Sequence, residues 1–130
     1  MTLRLVERVL IAAHDAGFAA SLVEMLGPAS VETRIVDRAS FIIATIALFE
    51  PDVVIVELEM PDLDGVTACR LMRAKSRVPM LFTSDDVLVV PITGPACALL
   101  SKTFTPTDLE NALRWLGLSL LEGVACRSVN

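Results

Sequence analysis

Cysteine is scarce in this 130-residue chain: Cys69, Cys97 and Cys126 are scattered, no CxxC spacing occurs, and no histidine lies near any of them. An odd, dispersed set of this kind reads as a reducing compartment with no zinc site. Cys69 and Cys97 sit among apolar neighbours and read as small buried hydrophobes. Histidine is scarcer still. His14 is the only one, and it has no evident Ser or Cys partner, so the sequence contains no nucleophile–base pair and the enzyme reading has no support. Basic residues are also in deficit, 11 Lys+Arg against 16 Asp+Glu, for a net charge of −5. That balance excludes a dedicated nucleic-acid surface, which needs clustered Lys and Arg. No apolar stretch is long enough to span a membrane. The longest without a charge, Ala39 to Phe49, falls far short of the roughly 20 residues required. The N-terminus has no basic region followed by a long apolar one, so no signal peptide is expected and the location expected is cytoplasmic.

What is abundant is apolar sequence, 54% of the chain, which excludes a disordered protein. The length predicts one domain over residues 1–130, with a core from about 8 to 120 and a short C-terminal tail. Apolar runs alternate with helical patterns. Arg8 to Ala13 reads as a buried strand. Asp15 to Leu26 follows as a helix, with Phe18, Leu22 and Met25 on one face, stopped by Gly27-Pro28. Val31 to Val36 reads as a strand, Ser40 to Glu50 as a helix, and Val53 to Val56 as a β-branched strand buried on both faces. Val66 to Lys75 is helical, Met80 to Phe82 and Ala96 to Leu100 are strands, and Asp85 to Gly94 is ambiguous. Thr105-Pro106-Thr107-Asp108 opens a last helix, with Thr105 as N-cap and Pro106 in the first turn. Leu109, Leu113, Leu116 and Leu120 form its predicted core stripe. Five such strands alternating with helices imply an α/β fold, a parallel sheet covered on both faces. Its ligand-binding edge gathers the loops after the strands. Those loops carry Ala13-His14-Asp15, Glu57-Leu58-Glu59, Thr83-Ser84 and Ser101-Lys102-Thr103.

The run from Pro51 to Gly65, PDVVIVELEMPDLDG, resembles the P-D-strand-D-x-x-M-P-x-x-D-G pattern of response-regulator receiver domains of two-component signalling. Arg8-Val9-Leu10-Ile11, Pro79 to Ser84 and Ser101-Lys102-Thr103-Phe104 match further parts of it. The resemblance covers about residues 8 to 120. It implies a flavodoxin-like, three-layer (βα)5 sandwich with a five-stranded parallel sheet in order 2-1-3-4-5. In that family a strand-3 aspartate accepts a phosphoryl group from a histidine kinase. An acidic pair after strand 1 helps to hold Mg2+, and a Thr/Ser and a Lys bind the phosphoryl oxygens.

Carried over position by position, the phosphoacceptor falls on Glu57 rather than Asp, the acidic pair on Ala13 and His14, the hydroxyl on Ser84 and the lysine on Lys102. Thr103 replaces the proline after the lysine, and Leu99 replaces the aromatic three before it. Mg2+ wants hard oxygen ligands, usually including carboxylates. Ala13 supplies no side-chain oxygen and His14 is a poor Mg2+ ligand, so no metal and no cofactor are expected. Glu57 reaches about 1.5 Å further than an aspartate, which displaces a nucleophile that must be placed within a fraction of that distance. One carboxylate facing one ammonium balances without a metal, so Glu57 is expected to pair with Lys102. Asp15 reads as the first helix's N-cap and Asp64-Gly65 as turn chemistry.

These features predict a pseudo-receiver, a stand-alone signalling domain that is not an enzyme. It would act by binding a sensor kinase, another regulator or itself, with a homodimer as one outcome and no nucleic acid or membrane as partner. No effector domain is expected after Leu120. One alternative is a receiver phosphorylated through unusual chemistry at Glu57 or Asp52. Another is a small-ligand-binding flavodoxin-like domain, against which stands the lack of a Gly- or Ser/Thr-rich loop in Ala13-His14-Asp15-Ala16-Gly17. Phe41, Ile42, Ile43, Ile46 and Phe49, surrounding a helix apolar on nearly all sides, form a candidate interaction surface with Trp115 and Leu118. Only 17 residues, 85 to 101, lie between Ser84 and Lys102, so a short or remodelled fourth helix is expected.

Overall fold

The computed structural model describes residues 3–62, 65–84 and 97–120, with the side chains at 65, 66, 68, 69 and 97 excepted. The elements in order are β1 (Arg4–Leu5), β2 (Arg8–Ala12), α1 (Ala16–Leu26), β3 (Glu32–Val36), α2 (Ile42–Phe49), β4 (Val53–Glu57), α3 (Gly65–Lys75), β5 (Met80–Ser84), β6 (Cys97–Ser101), α4 (Pro106–Trp115) and β7 (Leu118–Ser119). Five strands form one sheet in the order β3-β2-β4-β5-β6, every neighbour parallel. Counted along that sheet, this is the order 2-1-3-4-5 that the resemblance implies. The ambiguous stretch 85–94, the fourth helix expected there, Asp64, Cys126 and the side chains of Cys69 and Cys97 lie outside the described residues.

The middle of the sheet is β-branched because it is buried on both faces. Val53 to Glu57 are all buried, and so are Val9 to Ala12. Side-chain alternation divides the core in two. Val9, Ile11, Val53, Ile55 and Leu81 pack with Leu22 and Leu26 of α1 and with Leu109 and Leu113 of α4. Leu10, Ala12, Val54, Val56, Met80 and Phe82 pack with Ile42 and Phe49 of α2 and Met72 of α3.

Short polar side chains set the element ends. Asp15 caps α1 by accepting from the Phe18 amide at 3.1 Å. Thr105 and Asp108 form a reciprocal capping box at α4, with Pro106 in the first turn. Asp52 accepts from the amides of Glu7 and Arg8 at 2.7 and 2.9 Å and from Arg4 at 3.0 Å, so the Pro51-Asp52 pair ties the start of β4 to the start of β2. Asp62 reaches from the loop after β4 to the amides of Ala39 and Ser40 at 2.9 and 3.0 Å. There it caps the 3-10 turn Ala39–Phe41 that leads into α2.

Three expectations are corrected. The last helix stops at Trp115; Gly117, at φ 82°, reverses the chain. Leu116 and Leu120 therefore leave the helical stripe, although Leu120 remains buried. Leu118 belongs to β7, which pairs in parallel with β1 in a separate two-stranded sheet. At 2% exposure it is core rather than interaction surface. Ile42 and Phe49 are likewise buried, because α2 turns them onto the sheet, while Ile43 and Ile46 pack partly against the same core. The exposed apolar side chains nearby are Phe41 and Leu48, and on α4 Trp115.

Candidate functional site

The C-terminal ends of β2, β4, β5 and β6 meet at one edge of the sheet, and their side chains are sorted by strand parity. Glu57, last residue of β4, follows Val53 and Ile55 onto the α1/α4 face. Its side chain is 2% exposed. A buried carboxylate must be compensated, and this one is engaged through both oxygens. Oε1 accepts from the amides of His14 and Asp15 at 2.8 and 3.2 Å. Oε2 lies 2.5 Å from Lys102 Nζ; it has no other hydrogen-bond donor among the described residues, so the ammonium is its compensation. The extra methylene of Glu places the carboxylate against the β2–α1 loop, which presents backbone N–H groups where the family presents an acidic pair.

Lys102 follows β6, and its side chain is 14% exposed. Its Nζ lies 5.1 Å from the centre of the Phe18 ring, within cation–π range, and Phe18 meets Phe104 edge to face at 6.1 Å. Asp15 Oδ2 lies 3.8 Å from the same ammonium, while Oδ1 caps α1. The Asp15 carboxyl is held below its usual range, chiefly by the Phe18 amide, with Lys102 adding to this and burial opposing it. Ala13 is buried in the core, and the His14 side chain is exposed.

Two hydroxyls end β5, one on each face of the sheet. Glu57 pairs in register with Thr83, and alternation puts Thr83 on the Leu81 side, the side of Glu57. The Thr83 hydroxyl donates to the Val56 carbonyl at 3.4 Å. Ser84 falls on the opposite face and donates to Glu59 at 2.6 Å. Strand parity signals which hydroxyl shares the face of Glu57: β5 begins at Met80, and counting by twos from Leu81 reaches Thr83. Asp15's approach to Lys102 had no comparable signal.

These residues do not fit a hard divalent cation. Neither Ala13 nor His14 provides a carboxylate, both oxygens of Glu57 are occupied, and Asp15 caps a helix. Among the described residues no group of three or more His, Cys, Asp or Glu is placed to hold a metal. The peptide after Lys102 is trans, as are all others described.

Residues 9–114 match the response regulator receiver domain family. The DNA-binding response regulator MtrA of Mycolicibacterium paratuberculosis is 28% identical over 112 residues, which cover 83% of this chain and 50% of that protein. The response regulator protein GraR of Staphylococcus epidermidis is 41% identical over 50 residues, 38% of this chain and 22% of that protein. The chain therefore spans about half the length of the MtrA relatives it matches. Among solved structures, the receiver domain of the sensor histidine kinase PA1611 from Pseudomonas aeruginosa, with magnesium coordinated in its active-site cleft, superposes with a TM-score of 0.75. It is 20% identical and covers 85% of this chain and 98% of that one. The BeF3-activated receiver domain of RstA from Klebsiella pneumoniae gives 0.71 at 20% identity, covering 84% and 97%.

Proposed function

Since the chain belongs to the response regulator receiver domain family, we propose that it is a pseudo-receiver, a regulatory module that binds a protein partner without Mg2+-dependent phosphorylation of residue 57. The observation that carries this reading is the Glu57 carboxylate. It sits between two backbone amides and the Lys102 ammonium, in the space where the family gathers metal and phosphoryl group. The attack geometry is lost, because the carboxylate points into the protein rather than at a donor. So is the cation that would neutralise charge developing on a transferred phosphoryl group. What remains is a charge-neutral contact bridging β4, β6 and the β2–α1 loop, three segments whose relative positions a phosphorylated receiver would have to adjust.

Phosphorylation at Asp52 has no support, since that carboxylate is taken up by Glu7, Arg8 and Arg4 at the other end of the strand. DNA binding is part of the name of the MtrA relatives; for this acidic chain we propose a protein partner instead, a sensor kinase, another regulator or a second copy. No described helix is long and apolar enough to cross a membrane, and the proposed setting is the cytoplasm.

Isothermal titration with Mg2+ and incubation with acetyl phosphate test the reading. The wild type should give no Mg2+ heat and no mass increase. The triple variant A13D/H14D/E57D should gain Mg2+ binding, because it restores the carboxylates to a loop that otherwise keeps its course. Metal-dependent phosphate on Glu57 of the wild type would overturn the proposal.

A further inference from the structure

The outward face of α2 carries no charge. Its exposed positions are Ala44, Ala47 and Leu48, continued by Phe41 of the turn before it, with Phe41 51% and Leu48 82% exposed. Thr45, between them, turns its hydroxyl back to the Phe41 carbonyl at 2.8 Å and so presents a methyl group. Phe41 and Leu48 lie two turns apart, about 10 Å along the helix, with small residues at the midpoint. Beside the C-terminal half of α2 is a cleft of about 280 Å3, between Ile43, Ile46 and Ala47 of α2 and Lys75 and Ser76.

The two ends of this stripe differ in charge. Around its start stand Asp37, Arg38 and Asp62, the last on the Ala39 and Ser40 amides, a net acidic set. Around its end stand Arg8, whose Nε donates to the Glu50 carbonyl, Arg34 over the Phe49 ring and Lys75 on the cleft, against the acids Glu50 and Glu32, the register partner of Arg8, a net basic set. The Arg4–Asp52 pair beyond them is neutral.

We propose that this face binds a second copy of the chain, α2 against α2, antiparallel about a two-fold axis through Ala44 and Thr45. That arrangement sets the acidic end of each stripe on the basic end of the other. It brings Phe41 of each copy to Leu48 and the cleft of its mate, and it lets the helices approach closely at their small midpoint. A parallel pairing would oppose like charges at both ends. The interface is self-complementary, as a two-fold dimer requires. It is also small: two turns per copy fall short of the roughly 800 Å2 per partner of a standard interface, so the association is reversible and depends on concentration. The face lies on the α2/α3 side, away from Glu57, and the inference stands whether or not residue 57 accepts phosphate.

Sedimentation equilibrium of the full chain over a concentration series tests it. The wild-type mass should climb from 14.0 kDa toward twice that value. Leu48→Glu should weaken association at least tenfold while leaving the thermal melt unchanged, because Leu48 is exposed. Asp37→Lys and Lys75→Asp should each dissociate the dimer, since each brings like charges together twice. An equimolar mixture of those two variants should associate again, because both contacts then join opposite charges. A wild type that stays at 14.0 kDa at about 1 mM, a dimer indifferent to Leu48→Glu, or single charge variants that associate as the wild type does, would each overturn the proposal. Recovery of the mixture cannot come from a generic apolar patch.

Discussion

Removing the Lys102 ammonium strands a carboxylate that is 2% exposed. Breaking a buried pair on one side typically costs about 3–5 kcal/mol, so Lys102→Met should lower unfolding stability by an amount in that range. Glu57→Gln combined with Lys102→Met should cost less than the two single changes added together, because the double variant buries no unpaired charge. Urea unfolding of the four proteins gives the coupling directly; additive losses would mean that the contact contributes nothing. Single residues also show where reading from sequence stops. The partnership of Glu57 and Lys102 followed from counting charges at the positions of the family's site, where the one acid, Glu57, faced the one base, Lys102. Residue type alone does not say which hydroxyl shares the face of Glu57, because one residue of offset in a strand exchanges faces, and Thr-Ser offers a hydroxyl on each.

At the level of elements, Asp62 joins a loop to the turn that starts α2. Burial works against its ionised form, but the amides of Ala39 and Ser40 prevail and hold its carboxyl below the ordinary 3.8. The folded carboxyl is thus the stronger acid. Its stabilising contribution is complete above the unfolded value and is lost as pH falls through the lower, folded one. The melting temperature of Asp62→Asn should therefore lie below that of the wild type at about pH 7, and the gap should shrink below about pH 4. Melts across that range check it, and a constant gap would refute the assignment. The elements themselves were largely legible. Strands appeared as β-branched runs, and Asp15 and Thr105 announced two helix starts. Helix α2 was legible as a helix but not in its orientation. With Phe41, Ile42, Ile43, Ile46, Leu48 and Phe49 around the axis there is no polar stripe to set its phase, and only packing decides that Ile42 and Phe49 go in while Phe41 and Leu48 stay out.

Across the whole molecule, strands alternating with helices announced a parallel sheet, and the order of its strands came from the resemblance to receiver domains. The two-stranded β1–β7 sheet could not be inferred from either. Each strand has two residues, its partner lies at the other end of the chain, and the leucine spacing up to Leu120 imitates a longer helix. Its energetic weight is nonetheless testable. Leu118 is 2% exposed and belongs to the core that β2, α1 and α4 share, so Leu118→Ala should cost about 2–5 kcal/mol by denaturant titration. A loss below about 1 kcal/mol would show β7 to be an ornament of the surface, in the range of ordinary exposed substitutions.

The pairing of β1 with β7 also decides how the protein bears load. Its backbone bonds run from Arg4 to Gly117 and from Val6 to Ser119, both 2.9 Å long, between strands that point the same way. Traction applied at Leu3 against Leu120 would slide one strand along the other and strain both bonds together, as in a lap joint. An antiparallel clasp tugged at its open end would instead part rung by rung, like a zip.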